Sequence, residues 1–284
     1  MIISIAQTKP VTGDVNKNID THKKFADLAA FYRADAIIFP ELSLTGYEPT
    51  LAESLAPGPE NLPRRVAAGD KIFQRLQAEG NARAGKRLCG LPTDKDDERF
   101  NELQQLSDSK KMIIGAGMPI KTDQGILIGM IIFQPDQLRQ TYFKQYIHPD
   151  EEPFFINGMY QPVLGENEIA FAICYEISIP GHAEQAHKNG ANIYIASVAK
   201  TAAGVKKAIE TLSATAKKYS MTVLMSNCIG INDGVECGGR TSAWNDQGIL
   251  LGQLNERHEG LIIFDTATGE IIKKQKEDVL TGEV

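Results

Sequence analysis

"IAFAICYEISIP" occupies residues 169–180, where five apolar residues run into Cys174 and are followed at once by Tyr175 and Glu176. A short apolar run of this length, closed by polar sequence and Pro180, reads as a buried strand. A free cysteine is ordinarily a small core residue. Cys174 is therefore either core filler at a strand end or a nucleophile displayed there, and the surrounding sequence has to separate the two.

Working outward, short apolar runs alternate with helical stretches. Strands are expected at 2–7, 35–41, 112–119, 126–135 and 140–147 in the first half, with a helix over 16–33 carrying Ile19, Phe25, Leu28, Ala29 and Tyr32 near helical spacing. After the 169–174 strand come a short helix over 181–189, a strand at 192–199, a helix over 204–219 and a strand at 221–230. ILLGQL and GLIIFDT supply the last strands. Such alternation favours a layered α/β domain over separate all-α and all-β pieces.

Residues 57–92 break this rhythm with a composition rich in Pro, Gly, Ala and Arg. Asp70, Phe73, Leu76, Gln77, Gly90 and Pro92 recur 27 residues later as Asp97, Phe100, Leu103, Gln104, Gly117 and Pro119. The segment reads either as a decayed duplicate of a helix-plus-strand unit or as chance, since short matches recur readily. It is expected to be an atypical insertion or a duplicated helix-strand unit within one domain spanning 1–284.

The chain has 284 residues, 42% of them hydrophobic and 23% charged, with net charge −6, which suits a soluble globular protein. The scattered charge argues against nucleic acid or an anionic membrane as the principal partner. The start, MIISIAQTKP, lacks a basic n-region and a long apolar core, and no run approaches the ~20 apolar residues of a membrane span. Cys89, Cys174, Cys228 and Cys237 form no C-x-x-C pair, and the five histidines form no zinc-type cluster. A cytoplasmic protein with reduced thiols, no metal and no cofactor is expected.

Three places put a reactive side chain at or just past a strand end: Glu41 in FPELSLTGYEP, Lys144 in YFKQYIHPDEEPFF, and Cys174. Singly, each has an ordinary explanation: a solvated loop acid, a snorkelling lysine, a core thiol. Together they are a carboxylate, an ammonium and a thiol, and a thiol needs a neighbouring base or cation to attack near neutral pH. Strand ends of an α/β sheet are where such groups gather.

In this order the three segments resemble the motifs of the nitrilase superfamily of carbon–nitrogen hydrolases, and the resemblance continues through SNCIG and GGRTSAWNDQGILLGQL, leaving out roughly 57–92. It implies Glu41 as general base, Lys144 as oxyanion stabiliser and Cys174 as nucleophile. Glu151 falls in the place of the family's second glutamate, with Glu152 beside it. The implied fold is a four-layer α-β-β-α sandwich. The implied reaction is cleavage of a non-peptide C–N bond in a small amide or N-carbamoyl compound through a thioester. The implied assembly is a homodimer or higher homo-oligomer, paired near 181–192 and the helix from Gly204. Nitrile hydrolysis, acyl transfer to an amine, or a non-catalytic interaction protein are the alternatives.

For the substrate the sequence offers candidates. Some relatives acting on carboxylate-bearing substrates have an arginine soon after the nucleophile; here Tyr175, Glu176, Ile177 and Ser178 follow it. Lys200 could supply the cation instead, although a strand-exit lysine is commonly solvated. Tyr47, Tyr175, Glu176, Asn227 and Trp244 are further pocket candidates.

Overall fold

The computed structural model describes residues 1–47, 94–159, 168–232 and 234–275. In chain order the first half gives β1 (Ile2–Gln7), α1 (Val15–Phe31), β2 (Ala36–Ile38), α2 (Asn101–Lys110), β3 (Ile113–Thr122), β4 (Gly125–Phe133) and β5 (Gln140–Phe143). The second half gives β6 (Ile169–Ile173), α3 (Pro180–Lys188), β7 (Ile193–Val198), α4 (Ala202–Tyr219), β8 (Thr222–Asn227), β9 (Ile229–Asn232), β10 (Val235–Gly238), β11 (Ser242–Trp244), β12 (Leu250–Gln253), β13 (Gly260–Asp265) and β14 (Ile271–Gln275).

Two mixed sheets result. One has the order β14-β13-β1-β2-β3-β4-β5, the other β12-β11-β8-β7-β6, with β9 and β10 as a separate ribbon. Strands β1, β2 and β3 are parallel, as are β6, β7 and β8; antiparallel strands border the first set on both sides and the second set beside β8, leaving β6 at the edge.

Side-chain alternation explains why the sheets stack. Along β7, Ile193 and Ile195 face the other sheet, while Tyr194, Ala196 and Val198 face α3 and α4. Along β4, Ile126, Ile128, Met130 and Ile132 point inward and Ile131 and Phe133 point towards α1 and α2. Each sheet thus needs an apolar partner on both faces, and one helical layer on each outer side completes a four-layer α-β-β-α sandwich. Helix α4 lays Val205, Ala208, Leu212 and Ala216 on its sheet, a 3–4 residue spacing, and Thr201 caps it by accepting from Gly204 N at 3.2 Å.

Two hydroxyls cross between the sheets at the strand ends. Ser197 Oγ donates to Phe39 O (2.8 Å) and Ser226 Oγ donates to Ala6 O (2.6 Å). They fix the C-terminal ends of β7 and β8 against the C-terminal ends of β2 and β1.

The structure corrects several sequence boundaries. The 221–230 run is two strands, because β9 leaves the five-stranded sheet after Asn227 to pair with β10. The strand over 140–147 ends at Phe143, and only 36–38 of the 35–41 run is strand. Of the two stretches matched at a spacing of 27, the later one spans α2 and β3; the earlier one, the 57–92 segment and Cys89 lie outside the described residues. No helix among the described residues is long and apolar enough to cross a membrane.

Ile195 is fully buried between the sheets. Ile195→Ala is expected to lower the unfolding free energy by about 2–5 kcal/mol, read from the urea midpoint at unchanged slope.

Candidate active site

The C-terminal ends of β2, β5 and β6 converge on one buried cluster. Glu41 sits in the turn after β2, where Leu42 adopts φ +51°. That turn lies directly on β3: a Cβ at Gly117 would stand 2.4 Å from Leu42 N, so β3 can carry no side chain there. Leu44 N donates to Gly117 O at 2.9 Å, and His22 of α1 braces the turn through Ser43 Oγ (2.9 Å) and Asn18 O (2.6 Å).

Lys144 follows β5 immediately. Its N donates to Ile128 O (2.9 Å), its carbonyl accepts from Gly158 N (2.7 Å), and its side chain is wholly buried. The ammonium donates to Glu41 Oε1 and to both Glu151 oxygens, each at 2.8 Å. Glu151 closes the short 3₁₀ turn Pro149–Glu151, and it also accepts from His148 N and from Tyr47 OH, each at 2.7 Å.

Cys174 is the first residue after β6 and takes φ +44°, a left-handed conformation that costs a side-chain-bearing residue energy. This backbone turns the thiol out of the strand line and starts the 3₁₀ turn Cys174–Ser178. Glu41 uses Oε1 on Lys144, while its buried Oε2 has no hydrogen-bond partner among the described residues; the nearby Cys174 thiol favours the charged form of this carboxyl group.

Electrostatics set the resting protonation. Burial raises the Glu41 pKa and the Lys144 charge only partly offsets it, with repulsion from Glu151 adding to the rise. For Lys144, burial disfavours the ammonium, but the charges of Glu41, Cys174 and Glu151 outweigh it and hold the lysine protonated. The Cys174 thiol is pushed up to about 11, first by burial and then by Glu41, against the pull of Lys200 and Lys144. At neutral pH the arrangement therefore holds a thiol beside a carboxylate of heightened proton affinity.

The sequence-derived pocket residues divide. Tyr47 joins the cluster through Glu151, and burial with the two carboxylate charges raises its hydroxyl pKa, so it stays a donor. Tyr175 is half-buried, its ring edge-on to His148 at 5.0 Å. Glu176 is fully buried and turned away from solvent: it accepts from Ile173 N (2.7 Å), from Tyr142 OH (2.7 Å) and from Gln145 N. It thereby ties the Lys144 segment to the Cys174 elbow. Asn227, also buried, clamps Lys200: it accepts from Lys200 N (2.9 Å) and donates to Lys200 O (3.2 Å) and Gly239 O (2.7 Å). Trp244 is not brought to the cluster; it lies fully buried in the core between the five-stranded sheet and its helices. Glu152 is exposed.

Other supports were not visible in the sequence. Behind Glu176, His182 contacts Tyr142 OH (2.9 Å) and Tyr194 OH (2.8 Å), and burial lowers its pKa to about 4. Asn232 accepts from Tyr47 N (3.3 Å) and donates to the sulfurs of Cys228 and Cys237 (3.7 and 3.4 Å). The His182–Tyr142 and Asn232–Tyr47 contacts join residues far apart in sequence, so no local pattern marks them. Among the described residues no three His, Cys, Asp or Glu side chains gather as around a metal ion.

The family model for carbon-nitrogen hydrolase matches residues 2–274. The chain belongs to the carbon–nitrogen hydrolase family. Solved structures agree in fold with this carbon–nitrogen hydrolase. One is an amidase from Nesterenkonia sp. AN1, seen after Michael addition of acrylamide at its active site cysteine: 18% identity over 93% of this chain and 92% of that one, TM-score 0.72. A variant of the same amidase in complex with butyramide shares 18% identity over 93% and 89% of the two chains, TM-score 0.71. A further variant, described as from the nitrilase superfamily, gives 18% identity, 93% and 90% coverage and TM-score 0.72. No curated protein sequence matches the chain.

His22 supplies a pH test of the scaffold under Glu41. Burial lowers its pKa from 6.5 to about 4, so below 6.5 the unfolded chain binds the proton that the folded chain refuses. This stability is complete above about pH 6.5 and is lost as pH falls towards 4, by up to about 3 kcal/mol. His22→Gln is expected to flatten the native chain's fall in urea-unfolding free energy over that window.

Proposed function

We propose that this carbon–nitrogen hydrolase cleaves the C–N bond of a small amide through a thioester on Cys174. The observation that carries the reading is the buried Glu41–Lys144–Glu151 cluster set against a thiol on a left-handed strand end. A structural ion pair would gain nothing from a thiol at its side, and burying one ammonium with two carboxylates is costly unless the site uses them.

The steps follow from the charges. Glu41 takes the thiol proton as Sγ adds to the amide carbonyl carbon. The carbonyl π electrons move to oxygen, and the oxyanion is stabilised by the Lys144 ammonium and the backbone N–H following Cys174. Glu41 returns the proton to nitrogen as the C–N bond breaks, releasing ammonia or an amine. A water then gives a proton to Glu41 and its oxygen adds to the thioester carbon. Collapse expels Sγ, which regains the proton, and the acid leaves. Glu151 holds the Lys144 ammonium in place throughout, itself held by Tyr47 and His148 N.

The same reading keeps an oligomer paired through the outer faces of α3 and α4, a cytoplasmic setting, and Tyr175 as a pocket wall.

Ammonia release from a panel of small amides tests the assignment. Cys174→Ala and Glu41→Gln are expected to lower kcat by about 10³-fold or more with native circular dichroism retained. Lys144→Met leaves two buried carboxylates without their cation and is expected to cost about 3–5 kcal/mol of stability besides activity. Undiminished ammonia release by Cys174→Ala would overturn the thioester route.

A further inference from the structure

We propose that Lys200 anchors a carboxylate on the substrate, so that the scissile amide belongs to a small molecule with an anionic end. The inference rests on the hydrolase reading above and specifies its substrate class.

Position comes first. Strands β6 and β7 run parallel with Ile173 beside Ser197, so Cys174, the first residue past β6, comes level with Val198, the last residue of β7. Lys200 stands two residues further along, on the strand end adjacent to the nucleophile. Its backbone is held at three points: N on Asn227 Oδ1 (2.9 Å), and O receiving Asn227 Nδ2 (3.2 Å) and Gly238 N (2.8 Å). Asn227 is fully buried and holds Gly239 O as well, so the root of Lys200 belongs to the frame of the site. An ordinary solvated lysine at a strand exit needs no such clamp.

Charge comes second. The catalytic cluster sets one ammonium among two carboxylates, and Lys144 directs its donors at those carboxylates. A substrate carboxylate approaching that cluster alone would meet net negative charge. Lys200 is a second cation whose charge reaches Cys174 Sγ. Its side chain is half-buried, and among the described residues its ammonium has no ion pair and no hydrogen bond. The N-terminus of the 18-residue helix α4 begins two residues on and adds positive potential of the same sign. A half-buried lysine kept without a counter-ion beside an electronegative cluster is complementary to an anion brought by the substrate, and a single compact ammonium suits one carboxylate.

The competing role is thiol activation, in which Lys200 would aid every substrate equally. Kinetics on matched pairs separate the two: the monoamides of malonic, succinic and glutaric acid, each against its uncharged methyl ester, with ammonia as the readout. The native chain is expected to favour at least one anionic monoamide over its ester by about tenfold or more in kcat/KM, the scale of one charge-assisted hydrogen bond. Lys200→Met is expected to erase that ratio, Lys200→Glu to invert it and Lys200→Arg to retain most of it. If Lys200→Met lowers both members of each pair equally, Lys200 serves the thiol and the proposal falls. If the native chain cleaves the esters' amides without preferring the anions, the hydrolase reading stands and this one falls. If it releases ammonia from neither, and from no other small amide, the hydrolase reading fails first.

Discussion

The site is organised by one buried ammonium. Lys144 lies between Glu41 and Glu151 with no solvent exposure, and its three short contacts to them are what make two carboxylates tolerable in the interior. The arrangement is asymmetric in a useful way. Glu151 has further donors in Tyr47 and His148 N, so its side chain is held in place from several sides. Glu41 has one short contact and a second oxygen left over, and burial raises its affinity for a proton. One carboxylate is a fixture; in the proposed mechanism the other exchanges a proton with the thiol.

The four layers exist, from the point of view of this cluster, to bring three strand ends to one place and hold them there. Gly117 lets the Glu41 turn rest on β3, the two serine hydroxyls pin the sheets together at their C-terminal ends, and Glu176 joins the backbone after Lys144 to the backbone before Cys174. None of these side chains performs chemistry. Each removes a degree of freedom that would otherwise have to be frozen when substrate binds, which is how a scaffold lowers a barrier without touching the reacting atoms.

Much of this was legible in the chain. Apolar runs of strand length gave the alternating architecture, and a thiol, an ammonium and a carboxylate at strand exits marked the centre. What the sequence hid was direction. Glu176 and Asn227 are polar residues beside Cys174 or a strand end, which is how pocket residues look, yet their side chains are consumed by backbone groups and, for Glu176, by Tyr142 as well. Trp244 sits on an alternating strand whose outward face is covered by α4, and alternation alone does not say which face holds the site. Strand β14 escaped because its consecutive Ile272 and Lys273 are both exposed and mask its period, and the break between β8 and β9 escaped because the sequence stays apolar across it.

The most direct test of the central claim is to look for the covalent intermediate. Native protein mixed with a hydrolysed amide is quenched in acid within the first turnover, and its intact mass and peptide map are measured. The account predicts a mass increase equal to the acyl group, carried by the peptide containing Cys174 and absent from those containing Cys228 and Cys237. An acyl group on another residue, or turnover with no acyl-protein at any quench time, would contradict it.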